Sequence, residues 1–174
     1  MKLTDRCRRI ELILSDVDGV LTDGGIFYDN QGIEIKKFHI RDGLGIKLWQ
    51  RAGFKFGILT ARSSHIVKVR SAELGIDLVR QGFENKLPAA KEIFRQLQLK
   101  PEQVCYIGDD LTDLPVIRHV GLGVAVADAA EEVRAMAGHV TKLPGGTGAV
   151  RELVELILKA KSRWDDLIQT YLEG

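Results

Sequence analysis

Short apolar runs alternate in this chain with segments whose apolar residues recur at helical spacing. The runs favour short buried strands at residues 10–14, 54–59, 76–79, 104–107 and 124–126. Helices are predicted between several of them, with Ser64 as an N-cap and Pro88 in a first turn, at residues 44–51, 64–74 and 88–97. Such alternation builds βαβ units, which predicts an α/β protein: a Rossmann-like, doubly wound, mostly parallel sheet with helices on both faces.

Length and composition limit the class of protein further. With 174 residues, 45% of them hydrophobic, the chain is long enough for one domain, predicted to span residues 1–174. A formal net charge of +1 disfavours a nucleic-acid partner, and no apolar stretch reaches the roughly 18–20 residues of a membrane span. Cys7 and Cys105 are too few for a disulfide framework, and the first apolar run is too short for a signal-peptide core. We therefore expect a cytoplasmic protein with no membrane partner.

Two segments depart from the alternation. Residues 25–38 predict a β-hairpin inserted after the first strand, and the alternating apolar and charged residues of its second arm predict one buried face. Because a two-stranded ribbon is marginally stable alone, we expect this hairpin to pack against another subunit. Near the other end, a Gly-rich loop at 144–148 precedes one predicted C-terminal helix over about 149–171. Its first half should cover the sheet, whereas residues 164–171 either dock on a neighbour or fray.

Two acidic clusters directly follow predicted strands. Asp16 and Asp18 end the first strand, and Asp109, Asp110 and Asp113 follow the fourth. Right-handed crossovers bring the carboxyl ends of parallel strands to one edge of the sheet, so these side chains are expected to converge there. Neighbouring ionised carboxylates repel one another and need a cation, and Mg²⁺ prefers oxygen ligands of this kind. Either cluster alone would fit a turn or a helix cap, but two in equivalent positions predict a magnesium site.

Two further strand ends supply groups that suit a phosphate. Thr60 ends a strand before a predicted helix, whose first amides and dipole favour an anion. Lys86 lies just before the next predicted helix, where a cation is unfavourable for the helix but suits a bound phosphate. Taken alone, a capping role for Thr60 and a surface position for Lys86 are the simpler alternatives. Together with the acidic clusters, they predict a phosphoryl-transfer site.

The first acidic cluster, Thr60, Lys86 and the second acidic cluster follow one another along the chain in this order. In this arrangement, from residue 10 to about 150, the chain resembles the haloacid dehalogenase superfamily of phosphohydrolases. Larger members of the superfamily carry a cap domain where this chain has the hairpin. The hairpin and segments 16–24, 38–46, 108–113 and 145–152 are more narrowly similar to those of the 3-deoxy-D-manno-octulosonate 8-phosphate phosphatase family. This resemblance implies a capless homotetramer in which hairpins of different subunits meet and neighbours help to close each active site. Thr147 stands where the family usually has an Arg that reaches a neighbouring site. Tail-assisted substrate binding or product release is therefore not implied for this chain.

Within that resemblance the site residues take distinct roles. Asp16 is the expected nucleophile, which forms an aspartyl-phosphate. Asp18 is expected to protonate the leaving sugar oxygen, to deprotonate water afterwards, and to bind the metal only through its backbone carbonyl. Asp109 is the expected second metal carboxylate. Thr60 would hold phosphoryl oxygens and Lys86 would balance their charge. The side chains expected to orient water on the metal, or the lysine, are Asp110 and Asp113.

The resemblance predicts Mg²⁺-dependent release of phosphate from 3-deoxy-D-manno-octulosonate 8-phosphate, in lipopolysaccharide precursor synthesis. Arg62 and Arg70 are candidates for binding the carboxylate of this sugar acid, and Asp42 and Gly43 for meeting its hydroxyls. Related enzymes that act on nine-carbon sugar acid phosphates usually carry Glu at the position of Arg62, so Arg62 favours the eight-carbon substrate. A nine-carbon, sialic-acid-like sugar acid 9-phosphate is the alternative.

Two other classes of protein are less favoured. A receiver domain would hold its phosphoryl group as a signal, but an acid/base at Asp18 promotes turnover. A non-catalytic oligomeric binding module would have no need of the complete set of site residues.

Overall fold

The strands form one parallel sheet and one separate hairpin. A computed structural model describes residues 1–173. Six strands make the sheet: β1 (Leu12–Ser15), β4 (Lys55–Leu59), β5 (Leu78–Arg80), β6 (Val104–Gly108), β7 (Leu122–Ala125) and β8 (His139–Val140). Their order is β5-β4-β1-β6-β7-β8, and every neighbouring pair is parallel. The hairpin pairs β2 (Phe27–Tyr28) with β3 (Glu34–Ile35) in antiparallel fashion. The predicted α/β architecture is confirmed.

Eight α-helices and two 3₁₀ turns connect these strands in the described part of the chain. The helices are α1 (Leu3–Arg9), α2 (Ile40–Arg51), α3 (His65–Leu74), α4 (Lys86–Gln96), α5 (Leu114–Ile117), α6 (Glu131–Met136), α7 (Ala149–Ala160) and α8 (Trp164–Leu172). The 3₁₀ turns are Pro101–Gln103 and Leu111–Asp113. Helices α1 and α2 pack on α7, and α4 and α6 pack on α5. Strands β1 and β6 are buried along their whole length, as expected of central parallel strands.

Several boundaries differ from those predicted. Helices α1, α5 and α6 and strand β8 were not predicted, because α1 is polar and the other three are short. The predicted single C-terminal helix is two helices, α7 and α8. Ser162 separates them with a φ of 55°, and the N–H groups of Ser162 and Arg163 donate to the carbonyls of Lys159 and Leu158. This pair of hydrogen bonds is a Schellman ending, here with Ser at the left-handed position that Gly usually occupies.

The hairpin turns its charged residues toward the body of the chain and its apolar residues away from it. Ile33 and Ile35 are each 55% exposed, and Phe27 across the ribbon is 53% exposed. The side chains of Glu34 and Lys36, which alternate with the isoleucines, are 17% and 1% exposed. No apolar face of the ribbon is therefore buried within the described residues of this one chain.

Across residues 1–173, every helix is too short or too polar to cross a bilayer.

Candidate active site

The carboxyl ends of three neighbouring strands meet at one edge of the sheet. In the order β4-β1-β6, the strands end directly before Thr60, Asp16 and Asp109. Carboxylate oxygens of Asp16, Asp109 and Asp113 lie within 4.8 Å of one another. Both predicted acidic clusters thus contribute to one group of side chains. The topological switch point of an open α/β sheet, where such ligand sites occur, lies here because β1 is flanked by two later strands.

Lys86 lies at the centre of this acidic group and is only 1% exposed. It is the first residue of α4, and its Nζ lies 2.7 Å from Asp16 Oδ2 and 2.5 Å from Asp113 Oδ1. Burial lowers the pKa of Lys86, but the two carboxylates outweigh that effect and raise the pKa above its ordinary value. The lysine is therefore a fixed cation beside the expected nucleophile, and the surface alternative is wrong.

Asp113 organises the surroundings of Lys86. Its side chain is fully buried, and its Oδ2 accepts the backbone N–H groups of Asp109 at 2.9 Å and Asp110 at 3.2 Å. Its Oδ1 accepts Lys86 and the Tyr106 hydroxyl, the latter at 2.6 Å. Four hydrogen bonds satisfy this carboxylate, so it holds the lysine and the turn after β6 in place. Sequence reasoning missed Tyr106, although a tyrosine inside an apolar strand signals a buried polar partner.

The remaining carboxylates fit a divalent cation. Burial raises the pKa of Asp109 to about 8, with repulsion from Asp113 and Asp16 adding to the effect. Burial and then Asp113 raise the pKa of Asp16 to about 6. Lys86 offsets only one of the three negative charges. Because Asp113 is already fully hydrogen-bonded, the oxygens of Asp16 and Asp109 are the ones suited to hold Mg²⁺.

We expect the stability of the protein to depend on pH and Mg²⁺ together. The ordinary pKa of both carboxyl groups is 3.8, and folding raises it to about 6 for Asp16 and about 8 for Asp109. The folded state then binds more protons than the unfolded chain between these values, so the metal-free protein loses stability as pH rises from about 4 to about 8. Magnesium at about 100 times its Kd should raise Tm by about 5–10 °C near pH 8.

Thermal unfolding with and without Mg²⁺, near pH 5 and near pH 8, checks this coupling. Protons compete with the cation at low pH, so the stabilisation by Mg²⁺ should shrink near pH 5. An equal Mg²⁺ effect at both pH values would contradict the assignment of these two carboxylates.

Glycines let two loops approach the acidic group closely. Gly19 has a φ of +84°, and a Cβ at this position would overlap Asp109 Oδ2. Gly145, in the Gly-rich loop, packs against the backbone of Gly19 with no room for a side chain. The Thr22 hydroxyl accepts the N–H groups of Gly19 and Gly24 and so fixes the turn between them. Within the same chain, the Gly-rich loop therefore supports the turn that carries Asp16 and Asp18.

Asp18 lies outside the three-carboxylate group and faces the hairpin. Its Oδ1 forms an ion pair with Lys36 Nζ. The Asp18 side chain is 20% exposed, so it is accessible from the solvent side of the site. The structure thus brings together Asp16, Asp109, Asp113 and Lys86, with Asp18 beside them on the hairpin side.

Thr60 follows β4 and is 2% exposed, but it does not open α3. The helix begins at His65, so the amides directly after Thr60 belong to a loop and not to a first helical turn. Ser64 occupies the N-cap position, but its side chain accepts no hydrogen bond from the first turn, and its hydroxyl donates to Glu34 Oε2 at 2.5 Å. The predicted helix-dipole contribution at Thr60 is therefore wrong, whereas the position of its side chain at the sheet edge is retained.

The predicted substrate-binding residues separate into two groups. Arg62 lies on the hairpin side, where its Nη2 contacts Glu34 Oε1 at 2.8 Å, and its buried Nη1 has no hydrogen-bond partner in the structure. Arg70 pairs with Glu73 at 2.7 Å, and its guanidinium covers Gly43. Of the two arginines, only Arg62 is therefore held on the hairpin side of the site, where Asp18 lies.

Asp42 has a structural role that the sequence did not indicate. It is 2% exposed, and its Oδ1 accepts the backbone N–H of Arg151 at 2.8 Å, in the first turn of α7. Burial raises the pKa of this carboxyl group. Gly43 is buried beside it and packed against Arg70. Asp42 Oδ2 has no hydrogen-bond partner in the structure, and the contact of Asp42 and Gly43 with sugar hydroxyls stays a prediction.

Two other predicted residues serve their own loops. Asp110 accepts the N–H of Leu111 at 2.7 Å and caps the 3₁₀ turn that follows, so its side chain does not contact Lys86. The Thr147 hydroxyl donates to the Pro144 carbonyl at 2.7 Å within the Gly-rich loop. Asp113, and not Asp110, is thus the side chain that orients the lysine.

Comparisons with known proteins agree with this geometry. A family model for haloacid dehalogenase-like hydrolases matches residues 64–153. The 3-deoxy-D-manno-octulosonate 8-phosphate phosphatase KdsC of Escherichia coli (strain K12) is 44% identical over 161 residues, which are 92% of this chain and 86% of that protein. The crystal structure of a 3-deoxy-D-manno-octulosonate 8-phosphate phosphatase from Moraxella catarrhalis, in complex with a magnesium ion, a phosphate ion and KDO, is 41% identical and superposes with a TM-score of 0.95 over 97% of each chain.

A second solved structure shows the same likeness with another metal. The cobalt-bound form of the Haemophilus influenzae deoxy-D-mannose-octulosonate 8-phosphate phosphatase is 43% identical, with a TM-score of 0.87 over 90% of this chain and 92% of that one. The fold and the matched family model place the chain in the haloacid dehalogenase superfamily of hydrolases. More narrowly, it belongs to the 3-deoxy-D-manno-octulosonate 8-phosphate phosphatase family, and it is a phosphoric monoester hydrolase.

Proposed function

We propose that this enzyme hydrolyses 3-deoxy-D-manno-octulosonate 8-phosphate to the free sugar acid and inorganic phosphate, using Mg²⁺ and an aspartyl-phosphate intermediate. The observation that supports this most strongly is the acidic group around Lys86 at the sheet edge, in a chain that is 44% identical to a phosphatase with this substrate in its name. The Moraxella catarrhalis relative was crystallised with magnesium, phosphate and KDO, which correspond to the metal and the two products of this reaction.

In the first step, Asp16 would attack phosphorus. A bond forms between a carboxylate oxygen of Asp16 and phosphorus while the bond between phosphorus and the sugar oxygen breaks. The sugar oxygen keeps the electron pair of the broken bond and accepts a proton from Asp18. Lys86, 2.7 Å from Asp16 Oδ2, would offset negative charge on the phosphoryl group. Thr60 would donate a hydrogen bond to a phosphoryl oxygen from the neighbouring strand end.

In the second step, water would replace Asp16 on phosphorus. Asp18, now a carboxylate, takes a proton from the attacking water, and the bond between phosphorus and Asp16 breaks to regenerate the nucleophile. Asp16, Asp109 and the backbone carbonyl of Asp18 would hold Mg²⁺. When bound there, the cation neutralises the repulsion between the carboxylate and the phosphoryl group. Arg62 would bind the carboxylate of the sugar acid, and an Arg where enzymes for nine-carbon acids usually have Glu favours the eight-carbon substrate.

The hairpin supports a homotetrameric assembly. Phe27, Ile33 and Ile35 lie on its outer face and are each more than half exposed, and Ile26 and Tyr28 are exposed to a similar extent. Exposed apolar side chains of this number on a small ribbon are typical of a subunit contact. We propose that hairpins of different copies meet through this face and that neighbours complete each active site. Light scattering of the purified chain should give a mass of about four chains of 19.3 kDa, whereas a monomeric mass would contradict the proposal.

The state of the two cysteines is evidence for the cellular compartment in which the enzyme works. Cys7 and Cys105 are free and buried, and burial raises the pKa of both thiols, which keeps them protonated and unreactive. We propose on this basis that the enzyme works in the cytoplasm, where thiols stay reduced.

A panel of sugar phosphates tests the substrate. We expect kcat/KM for 3-deoxy-D-manno-octulosonate 8-phosphate to exceed that for a nine-carbon sugar acid 9-phosphate by about five- to thirtyfold, since a mismatched polar contact at Arg62 costs about 1–2 kcal/mol. A neutral hexose 6-phosphate, which has no carboxylate, is the control and should be hydrolysed more slowly still. Faster turnover of the nine-carbon acid would replace the proposed substrate, and no turnover of any member would favour a binding module.

A further inference from the structure

The inner face of the hairpin carries a lysine whose side chain is almost completely buried. The Lys36 side chain is 1% exposed, although it stands on a two-stranded ribbon whose outer face is open. Lysines are rarely buried to this extent unless their ammonium is paired, and no role in catalysis or folding assigned above requires one at this position. The buried position of the Lys36 ammonium group therefore needs an explanation.

Lys36 is paired with two carboxylates that belong to different parts of the site. Its Nζ forms an ion pair with Asp18 Oδ1, and it lies 3.2 Å from Glu34 Oε1. Glu34 in turn accepts hydrogen bonds from Arg62 Nη2 at 2.8 Å and from the Ser64 hydroxyl at 2.5 Å. The hydrogen bond from Ser64, followed by Lys36 and Arg62, holds the pKa of Glu34 below its ordinary value. Two positive and two negative side chains thus form one continuous network with no excess charge.

We propose that Lys36 is a positioning residue for Asp18, and that Glu34 holds Lys36 in place and ties it to Arg62. This inference rests on the proposed function, because it concerns the proton that the leaving sugar oxygen receives. Lys36 occupies only Oδ1 of Asp18, so Oδ2 is the oxygen left to exchange that proton. Held in this way, the carboxyl group faces the hairpin, where Arg62 lies, and stays apart from the group formed by Asp16, Asp109 and Asp113.

If Lys36 positions Asp18, the effect of replacing Lys36 should depend on the leaving group of the substrate. A sugar alkoxide is strongly basic and must be protonated as its bond to phosphorus breaks, whereas p-nitrophenolate leaves without a proton. The parameter kcat/KM reports the steps up to departure of the leaving group, so it isolates this proton transfer from the later attack of water. If Lys36 orients Asp18, its loss should lower kcat/KM for the sugar phosphate much more than for p-nitrophenyl phosphate. A general loss of folding would lower kcat/KM equally for the two substrates.

The test compares Lys36→Met with wild-type enzyme on both substrates at saturating Mg²⁺. We expect kcat/KM for 3-deoxy-D-manno-octulosonate 8-phosphate to fall about 100-fold and that for p-nitrophenyl phosphate to fall less than about threefold, within the usual range for general acid catalysis. Lys47→Met makes the same substitution at an exposed position on α2 and should change neither value. Equal losses on the two substrates, or no loss on either, would overturn the proposal.

Glu34→Gln provides a second variant that leaves the lysine in place. It removes the charge that holds Lys36 and Arg62, so the ratio of the two kcat/KM values should fall about fivefold in the same direction. If Lys36→Met does not melt cooperatively, this variant decides, and an unchanged ratio refutes the proposal. Wild-type enzyme that released no phosphate from the sugar acid would refute the proposed function instead. An active wild type with unchanged ratios in the variants would refute only the role of Lys36.

Discussion

Replacing Asp16 with Asn is expected to lower kcat by at least about 10⁴-fold, because it removes the nucleophile while leaving the strand end intact. Asp16 follows the buried strand β1, and its Oδ1 accepts the N–H of Val17 at 2.7 Å. An amide oxygen can keep that hydrogen bond, so the turn should be retained. The amide of Asn is neutral and cannot replace the carboxylate as the nucleophile that forms the aspartyl-phosphate. The loss should therefore appear in chemistry and not in folding.

Two measurements separate these effects. Phosphate release gives the loss of activity, and mass spectrometry of acid-quenched enzyme should find a phosphoryl group on the peptide that contains Asp16 in the wild type alone. Asp77→Asn, at an exposed position before β5, is the matched control and should behave as wild type. Near-normal turnover of Asp16→Asn, or a phosphoryl group on another residue, would show that the nucleophile has been misassigned.

Replacing Lys86 with Met is expected to damage both stability and catalysis. The substitution leaves Asp16 and Asp113 without the ammonium that lies 2.7 Å and 2.5 Å from them. Removing one partner from a buried ion pair typically costs about 3–5 kcal/mol, which corresponds to a fall in Tm of about 6–20 °C for a chain of this size. Loss of a fixed cation beside the phosphoryl group should lower kcat by a further factor of about 10²–10³.

A double-mutant cycle shows whether the two effects come from the pair. Adding Asp113→Asn to Lys86→Met removes one uncompensated carboxylate, so the double variant should be more stable than the sum of the two single changes predicts. Lys91→Met, on the exposed side of the same helix, is the control and should change Tm by less than about 2 °C. Additive changes in the unfolding free energy would contradict the ion pair.

The main elements of the fold and the acidic edge could be predicted because both follow from simple periodicities. Buried parallel strands read as continuous apolar runs, and parallel strands end at one edge, so Asp16 and Asp109 could be brought together without any structure. Lys86 was predicted for the same reason, since it begins a helix that follows another strand of the sheet. These inferences depend on topology alone and not on side-chain packing.

The rest depends on contacts that no local pattern contains. Asp42 is predicted as a binding residue, but the sequence does not show that its Oδ1 accepts the N–H of Arg151, which lies 109 positions away. Tyr106 lies within a predicted strand, but the apolar pattern does not show that its hydroxyl donates to Asp113. In the hairpin the alternation of residues was visible, whereas the direction of each face was not, so the burial of Lys36 could not be predicted.

The most direct test of the whole account is the release of phosphate from 3-deoxy-D-manno-octulosonate 8-phosphate by metal-free enzyme, before and after Mg²⁺ is added. The carboxylates of Asp16, Asp109 and Asp113 lie within 4.8 Å of one another and repel an anionic substrate unless a cation is present. We predict that EDTA-treated enzyme loses at least about 99% of its activity and that excess Mg²⁺ restores it. Full activity in the presence of EDTA would contradict the account.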